Sequence, residues 1–201
     1  MKRAVIFDFG GVLMKTADQS PRHRWDERLG LAHGSVEHVV HGSESWRQAQ
    51  TGALSVADYW ADVARQLGIS PADVAQLAED FFSGDQLDAE MLALVERLRA
   101  AGHQVALLSN DSPALRGKLT ALGIAALFEP LVISGEIGVM KPDTRSYQAV
   151  LDMLRLPAEQ TIFVDDMPAN IAGAKALGIH GLHYTTTAAL LAALEPLLLG
   201  E

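Results

Sequence analysis

No cysteine occurs among the 201 residues, which excludes a disulfide scaffold and a thiolate site and leaves compartment unreadable from redox usage. Basic residues are scarce as well: 16 Lys and Arg stand against 25 Asp and Glu, for a formal net charge of −9. They form no cluster, so neither nucleic acid nor an anionic membrane is an expected partner, although small anions can still be held locally. No apolar run approaches the roughly 18 residues of a membrane span. The opening Met1-Lys2-Arg3 and its apolar sequel imitate a signal peptide, but Asp8 interrupts the run after four residues. A soluble, cytoplasmic protein is expected, as monomer or homodimer. Internal repeats and low-complexity segments are also absent.

What is present is a chain 49% apolar, enough to bury a full core. Short β-rich runs recur at Ala4 to Asp8, Gln104 to Ser109, Leu131 to Ser134, Thr161 to Asp165 and, more weakly, Gly181 to Tyr184. They are apolar on both faces, the pattern of parallel strands covered by helices on each side. Helices with clear punctuation lie between them. Asp88 opens one that Gly102 closes, Ser112-Pro113 opens the next before Gly123, and Pro168 starts another that ends at Gly178. The Leu190–Leu199 end reads as a final packed helix.

Residues 16–84 break this rhythm with helical patterns and no strand. One helix aligns Val56, Tyr59, Trp60, Val63, Ala64 and Leu67 on a stripe behind a Ser55–Asp58 capping box; the next has Ser70 as cap, Pro71 first and Asp73 third. The expectation is an α/β, doubly wound parallel-sheet core from residues 1–15 and 85–201, with 16–84 as an inserted helical cap. The insert leaves after the Asp8 turn and returns before the second strand, which places it as a lid over the carboxyl ends of the strands.

Four motifs sit at those ends. Asp8 closes the first strand and empties into Phe9-Gly10-Gly11, where bare backbone lets a ligand approach a carboxylate. Ser109-Asn110 follows the second strand just before a helix start, a cradle for phosphate oxygens. Lys141 precedes Pro142 and the capping Asp143, so a stiff loop carries its charge. Asp165-Asp166 end a buried strand, and adjacent carboxylates are costly unless a cation sits between them. An all-oxygen donor set describes Mg²⁺ better than zinc. Each motif alone also fits a turn, a cap or a solvated charge.

In this order, and each at a strand end, the four motifs resemble the haloacid dehalogenase superfamily, most of whose members are Mg²⁺-dependent phosphatases. The resemblance spans the chain, and the insert matches the family's helical C1 cap. It implies Asp8 as nucleophile, Ser109, Asn110 and Lys141 around the phosphate, and Asp8, Asp165, Asp166 and the Gly10 carbonyl as Mg²⁺ ligands, with Asn170 and Asp143 supporting or capping. One position departs. The family's usual second Asp, two residues after the nucleophile, is Gly10 here, so the general acid that protonates the leaving oxygen is missing. The D-x-G-x-V form resembles a subgroup that includes sugar-phosphate phosphatases. The expected substrate is a small phosphorylated metabolite, a sugar phosphate or another activated phosphate. Alternatives are a 2-haloacid dehalogenase, which needs neither the acid nor a metal, and a catalytically silent binding module. Arg24, Trp25, Trp46, Arg47 and Gln50 are the insert's candidates for choosing substrate. His38 and His41 share a helix face, lack a third ligand, and are expected in solvent.

Overall fold

The structure is a computed structural model that describes residues 2–199. Five parallel strands form the central sheet: β1 (Ala4–Phe7), β4 (Gln104–Ser109), β5 (Leu131–Ile133), β6 (Thr161–Asp165) and β7 (His180–His183), in the order β5-β4-β1-β6-β7. All four side chains of β1 are buried and alternate between two cores. Val5 and Phe7 join one with α6 (Ala89–Ala100), α7 (Ala114–Ala121) and α11 (Thr187–Leu199), while Ala4 and Ile6 join the other with α9 (Thr144–Leu154) and α10 (Pro168–Lys175). Continuous apolar runs therefore mark strands covered on both faces. The edge strands differ slightly from expectation: β5 stops at Ile133 because Ser134 opens the one-turn helix α8 (Ser134–Ile137), and β7 starts at His180.

Register decides what meets at the carboxyl edge. Phe7 pairs with Leu107 on one side and Val164 on the other. Asp8, Ser109 and Asp165 thus emerge together where the order departs to both sides of β1, the crevice in which open α/β sheets bind ligands.

Between β1 and α6 the chain makes α1 (Ser20–Leu29), α2 (Ser35–Gly42), α3 (Glu44–Gln50), α4 (Val56–Leu67) and α5 (Pro71–Phe82). These helices gather a third core of their own, including Trp25, Val40, Tyr59, Val63, Leu77 and Phe81. Ser55 and Ser70 cap α4 and α5 through the Asp58 and Asp73 amides. The two passages between this insert and the sheet pair as an antiparallel hairpin of β2 (Met14–Thr16) and β3 (Asp85–Leu87). Sequence periodicity did not foresee it, because three-residue strands with a single buried residue, Met14, carry no period.

Candidate active site

The Asp8 carboxylate is nearly buried at the sheet edge. Its Oδ1 accepts the Phe9 amide at 2.7 Å and lies 2.9 Å from the Lys141 ammonium. Lys141 is itself buried, and its Nζ donates to Asp165 Oδ2 at 2.7 Å, so one cation bridges two carboxylates. The loop that holds it is fixed by Asn110, which accepts the Lys141 amide at 2.8 Å and returns its own Nδ2–H to the Lys141 carbonyl at 2.9 Å. The stiffness expected from Pro142 is thus supplied largely by the Asn110 side chain.

Asp165 is fully buried, with both oxygens held by Asn170 Nδ2 at 3.0 Å and Oδ1 also taking the Met167 amide at 2.8 Å. Asp166 is half-buried and lies against Gly11, whose φ of +75° and missing Cβ both matter: a methyl group there would collide with the Asp166 carboxylate. Oxygens of Asp8, Asp165 and Asp166 lie within 4.8 Å of one another. Burial, outweighing the Lys141 charge and reinforced by Asp165, pushes the Asp8 carboxyl up to about 6. Burial and then Asp165 also raise Asp166. Anionic charge is in excess at this point, which is the condition a bound cation relieves.

A cavity of 710 Å³ opens over this cluster, walled on the sheet side by Asp8, Gly10, Ser109, Lys141 and Asp166. On the insert side Trp46 and Gln50 reach it as expected. Gln50 also fastens α3 to the sheet edge: its Nε2 donates to the Asn110 carbonyl at 2.8 Å, and its carbonyl accepts Ser134 Oγ–H at 2.6 Å. Arg24 and Arg47 are exposed and outside this wall, and Trp25 is buried in the insert core with Nε1 donating to Asp80. The arginine that does reach the cavity is Arg22, two residues earlier on α1 and buried. It binds the Phe81 carbonyl, Glu37, Thr16 and Asp85, joining the insert to the β2–β3 hairpin.

His38 and His41 are both exposed, as expected, although His41 also stands at the edge of the cavity. Its ring lines the cavity edge-on to Phe81 with centroids 5.0 Å apart, and desolvation together with the nearby Arg22 charge lowers its pKa to about 4. It is a neutral imidazole at pH 7. Asp111, Lys118 and Phe82 also line the wall; burial pushes Asp111 up to about 6. None of these carried a motif. Asp111 follows the Ser109-Asn110 pair directly, the one local hint, whereas the others reach the site only through tertiary packing.

The sequence model of haloacid dehalogenase-like hydrolases matches residues 2–178. The chain belongs to that family. Among curated family relatives, a sesquiterpene phosphatase of Aspergillus oryzae is 29% identical, with 93% of this chain and 92% of that one covered. A (S)-2-haloacid dehalogenase of a Pseudomonas species is also 29% identical, covering 89% and 78%. Among solved structures, a family enzyme of Bacteroides thetaiotaomicron in complex with magnesium and inorganic phosphate superposes with a TM-score of 0.77 at 21% identity, covering 93% and 96%. The fold is the family's α/β fold and the chain is a hydrolase of this family. No helix among the described residues is long and apolar enough to cross a membrane.

Proposed function

We propose that this hydrolase is a Mg²⁺-dependent phosphatase of small phosphorylated metabolites that works through a phosphorylated Asp8. The observation that carries this reading is the convergence of three carboxylates within 4.8 Å, bridged on one side by a buried ammonium and facing a cavity with a serine hydroxyl. Metal-free dehalogenation would leave that acidic triad without a dication to neutralise it.

The donor set fits a hard dication: it offers oxygens alone, from three carboxyls brought within 4.8 Å of one another. Asp8, Asp165, Asp166 and the Gly10 carbonyl would hold Mg²⁺, which supplies charge neutralisation between an anionic nucleophile and an anionic phosphate. The remaining work falls to the chain. Asp8 Oδ1 is occupied by Phe9 and Lys141, leaving Oδ2 to react. That oxygen attacks phosphorus in line, the ester P–O bond breaks, and the aspartyl-phosphate is later opened by water to return phosphate and the Asp8 carboxylate. Lys141 neutralises charge on the phosphoryl oxygens, and Ser109 Oγ–H and the Asn110 N–H hold the non-transferring ones. Asn170 fixes Asp165. With Gly10 in place of an acid, the departing oxygen takes its proton from water. Activated phosphates, such as anomeric sugar phosphates or acyl phosphates, are therefore the favoured substrates. The insert, residues 16–84, acts as the lid over a core of 1–15 and 85–201, with Trp46 and Gln50 toward the substrate.

The test is a screen of sugar phosphates, acyl phosphates and nucleotides with and without Mg²⁺, on the parent and on Asp8→Asn. Turnover that needs Mg²⁺ and falls at least ~10³-fold in Asp8→Asn is expected. Chloride release from 2-haloacids without Mg²⁺ would favour the dehalogenase, and identical parent and variant a silent binding module.

A further inference from the structure

Beside the phosphate cavity lies a second one of 250 Å³, which nothing in the catalytic scheme uses. The two share His41, Trp46, Phe82, Asp111 and Lys118, so the second opens directly off the first. Its own wall is mostly apolar: Val56, Tyr59 and Trp60 come from α4, Ala114 and Leu115 from α7, and the one polar addition, Ser112, turns its hydroxyl to Asp111 Oδ1 at 3.3 Å. It therefore forms only where the insert faces the core. Its polar atoms are largely disposed of. Tyr59 turns its hydroxyl away to donate to the Val40 carbonyl at 2.7 Å, leaving the ring on the cavity. Asp111 Oδ1 is taken by the Ser112 amide at 2.6 Å. Lys118 rests its ammonium over the Phe82 ring at 4.8 Å. Trp46, Trp60 and Phe82 are only half-buried although each faces this space. Aromatic surface left to water inside a concave site is stabilised by an apolar ligand.

We propose that this annex is the subsite for the organic part of the substrate, and that the part it takes is apolar, an alkyl or isoprenoid-like chain or an aromatic ring in place of a sugar. The inference rests on the phosphatase reading for its phosphate end and narrows the activated phosphates named there to those with an apolar organic part, setting sugar phosphates aside. A polyhydroxylated group would strip water from its hydroxyls against Val56, Trp60 and Leu115 with no partner offered in return. A hydrocarbon exchanges hydration for ring and methyl contacts.

The experiment measures Ki for n-alkylphosphonates, methyl to hexyl, against acetyl phosphate hydrolysis, whose own acyl group is too short to fill the annex. Each added methylene is expected to tighten binding about fourfold until the annex fills. Ala114→Phe, which fills the annex, and Trp60→Ala, which opens it, are each expected to lower the methyl-to-hexyl Ki ratio at least tenfold. Because the readout is a ratio within one protein, loss of folded material cancels. A flat series in the parent, or ratios that neither variant changes, overturns the proposal and leaves the phosphatase reading standing. Absence of turnover on acetyl phosphate and on every other phosphate of the screen above overturns that reading instead, and the annex is then judged by quenching of tryptophan fluorescence. Tighter binding of hexanol than ethanol, lost in Ala114→Phe, supports it; equal binding of the two alcohols refutes it.

Discussion

At the scale of single residues, the site is defined as much by Gly10 as by Asp8. A Cβ placed on Gly10 meets no heavy atom within 4 Å beyond its chain neighbours, and the residue lines the cavity over the three carboxylates. A Cβ therefore has open space there beyond the neighbouring residues of the chain. General acid catalysis contributes about 10²- to 10⁴-fold when the leaving oxygen needs a proton. Gly10→Asp is therefore expected to speed hydrolysis of an alkyl phosphate by that order while changing acetyl phosphate turnover little, since acetate leaves as an anion. Equal kcat for parent and variant on the alkyl ester would show that leaving-group protonation does not limit this enzyme. Asn170 offers a second residue-scale test. It holds both oxygens of buried Asp165, and groups that orient metal ligands are typically worth about 10- to 100-fold in metal affinity. Asn170→Ala should weaken Mg²⁺ binding by that factor in a calorimetric titration, and unchanged affinity would remove Asp165 from the ligand set.

At the scale of elements, local signals and tertiary ones separate cleanly. Ser70 accepts the Asp73 amide at 3.2 Å and donates to its carboxylate at 2.6 Å, the capping box the sequence spelled out. Ser70→Ala should cost about 1 kcal/mol, a fall in Tm of roughly 2–4 °C for a chain of this size, measured by thermal melting; a melt unchanged within 1 °C, or about that, would mean α5 is held by packing alone. The covered strands were equally legible, since Val5, Phe7, Ala4 and Ile6 must all be apolar to serve two cores. So were Asp8, Ser109 and the Asp165-Asp166 pair, each at a strand end; Lys141, expected at one too, instead lies in the loop between α8 and α9, eight residues past the end of β5. The hairpin β2–β3 was not, having almost no buried side chain to announce it. Nor was the choice among polar residues of the insert. Arg22 and Arg24 stand on the same helix, and only the packing of α1 against Phe81 and Asp85 decides that Arg22 faces inward.

At the scale of the whole molecule, the acidic site under the proposed reading ties stability to pH and to metal together. Asp8 is raised from the ordinary 3.8 to about 6. Between those values the folded protein keeps a proton that the unfolded chain has released, so Asp8's contribution to stability falls as pH rises through the window and its full cost is present above it. Asp111, also raised to about 6, acts with the same sign, while His41, lowered to about 4, acts with the opposite one between 4 and 6.5. The plain stability profile thus mixes opposing groups. The difference between Mg²⁺ and EDTA does not, because Asp111 and His41 titrate alike in both while Asp8 must lose its proton to bind the ion. At pH 5, one unit below the Asp8 value, apparent Mg²⁺ affinity should be about tenfold weaker than above pH 7, and the rise in Tm at a fixed, near-saturating Mg²⁺ concentration correspondingly smaller. Paired melts at pH 5, 6, 7 and 8 check this. A magnesium-induced shift of the same size at every pH would mean that the ion binds somewhere other than the carboxylates of Asp8, Asp165 and Asp166, and the proposed chemistry would lose the cation on which its acidic triad depends.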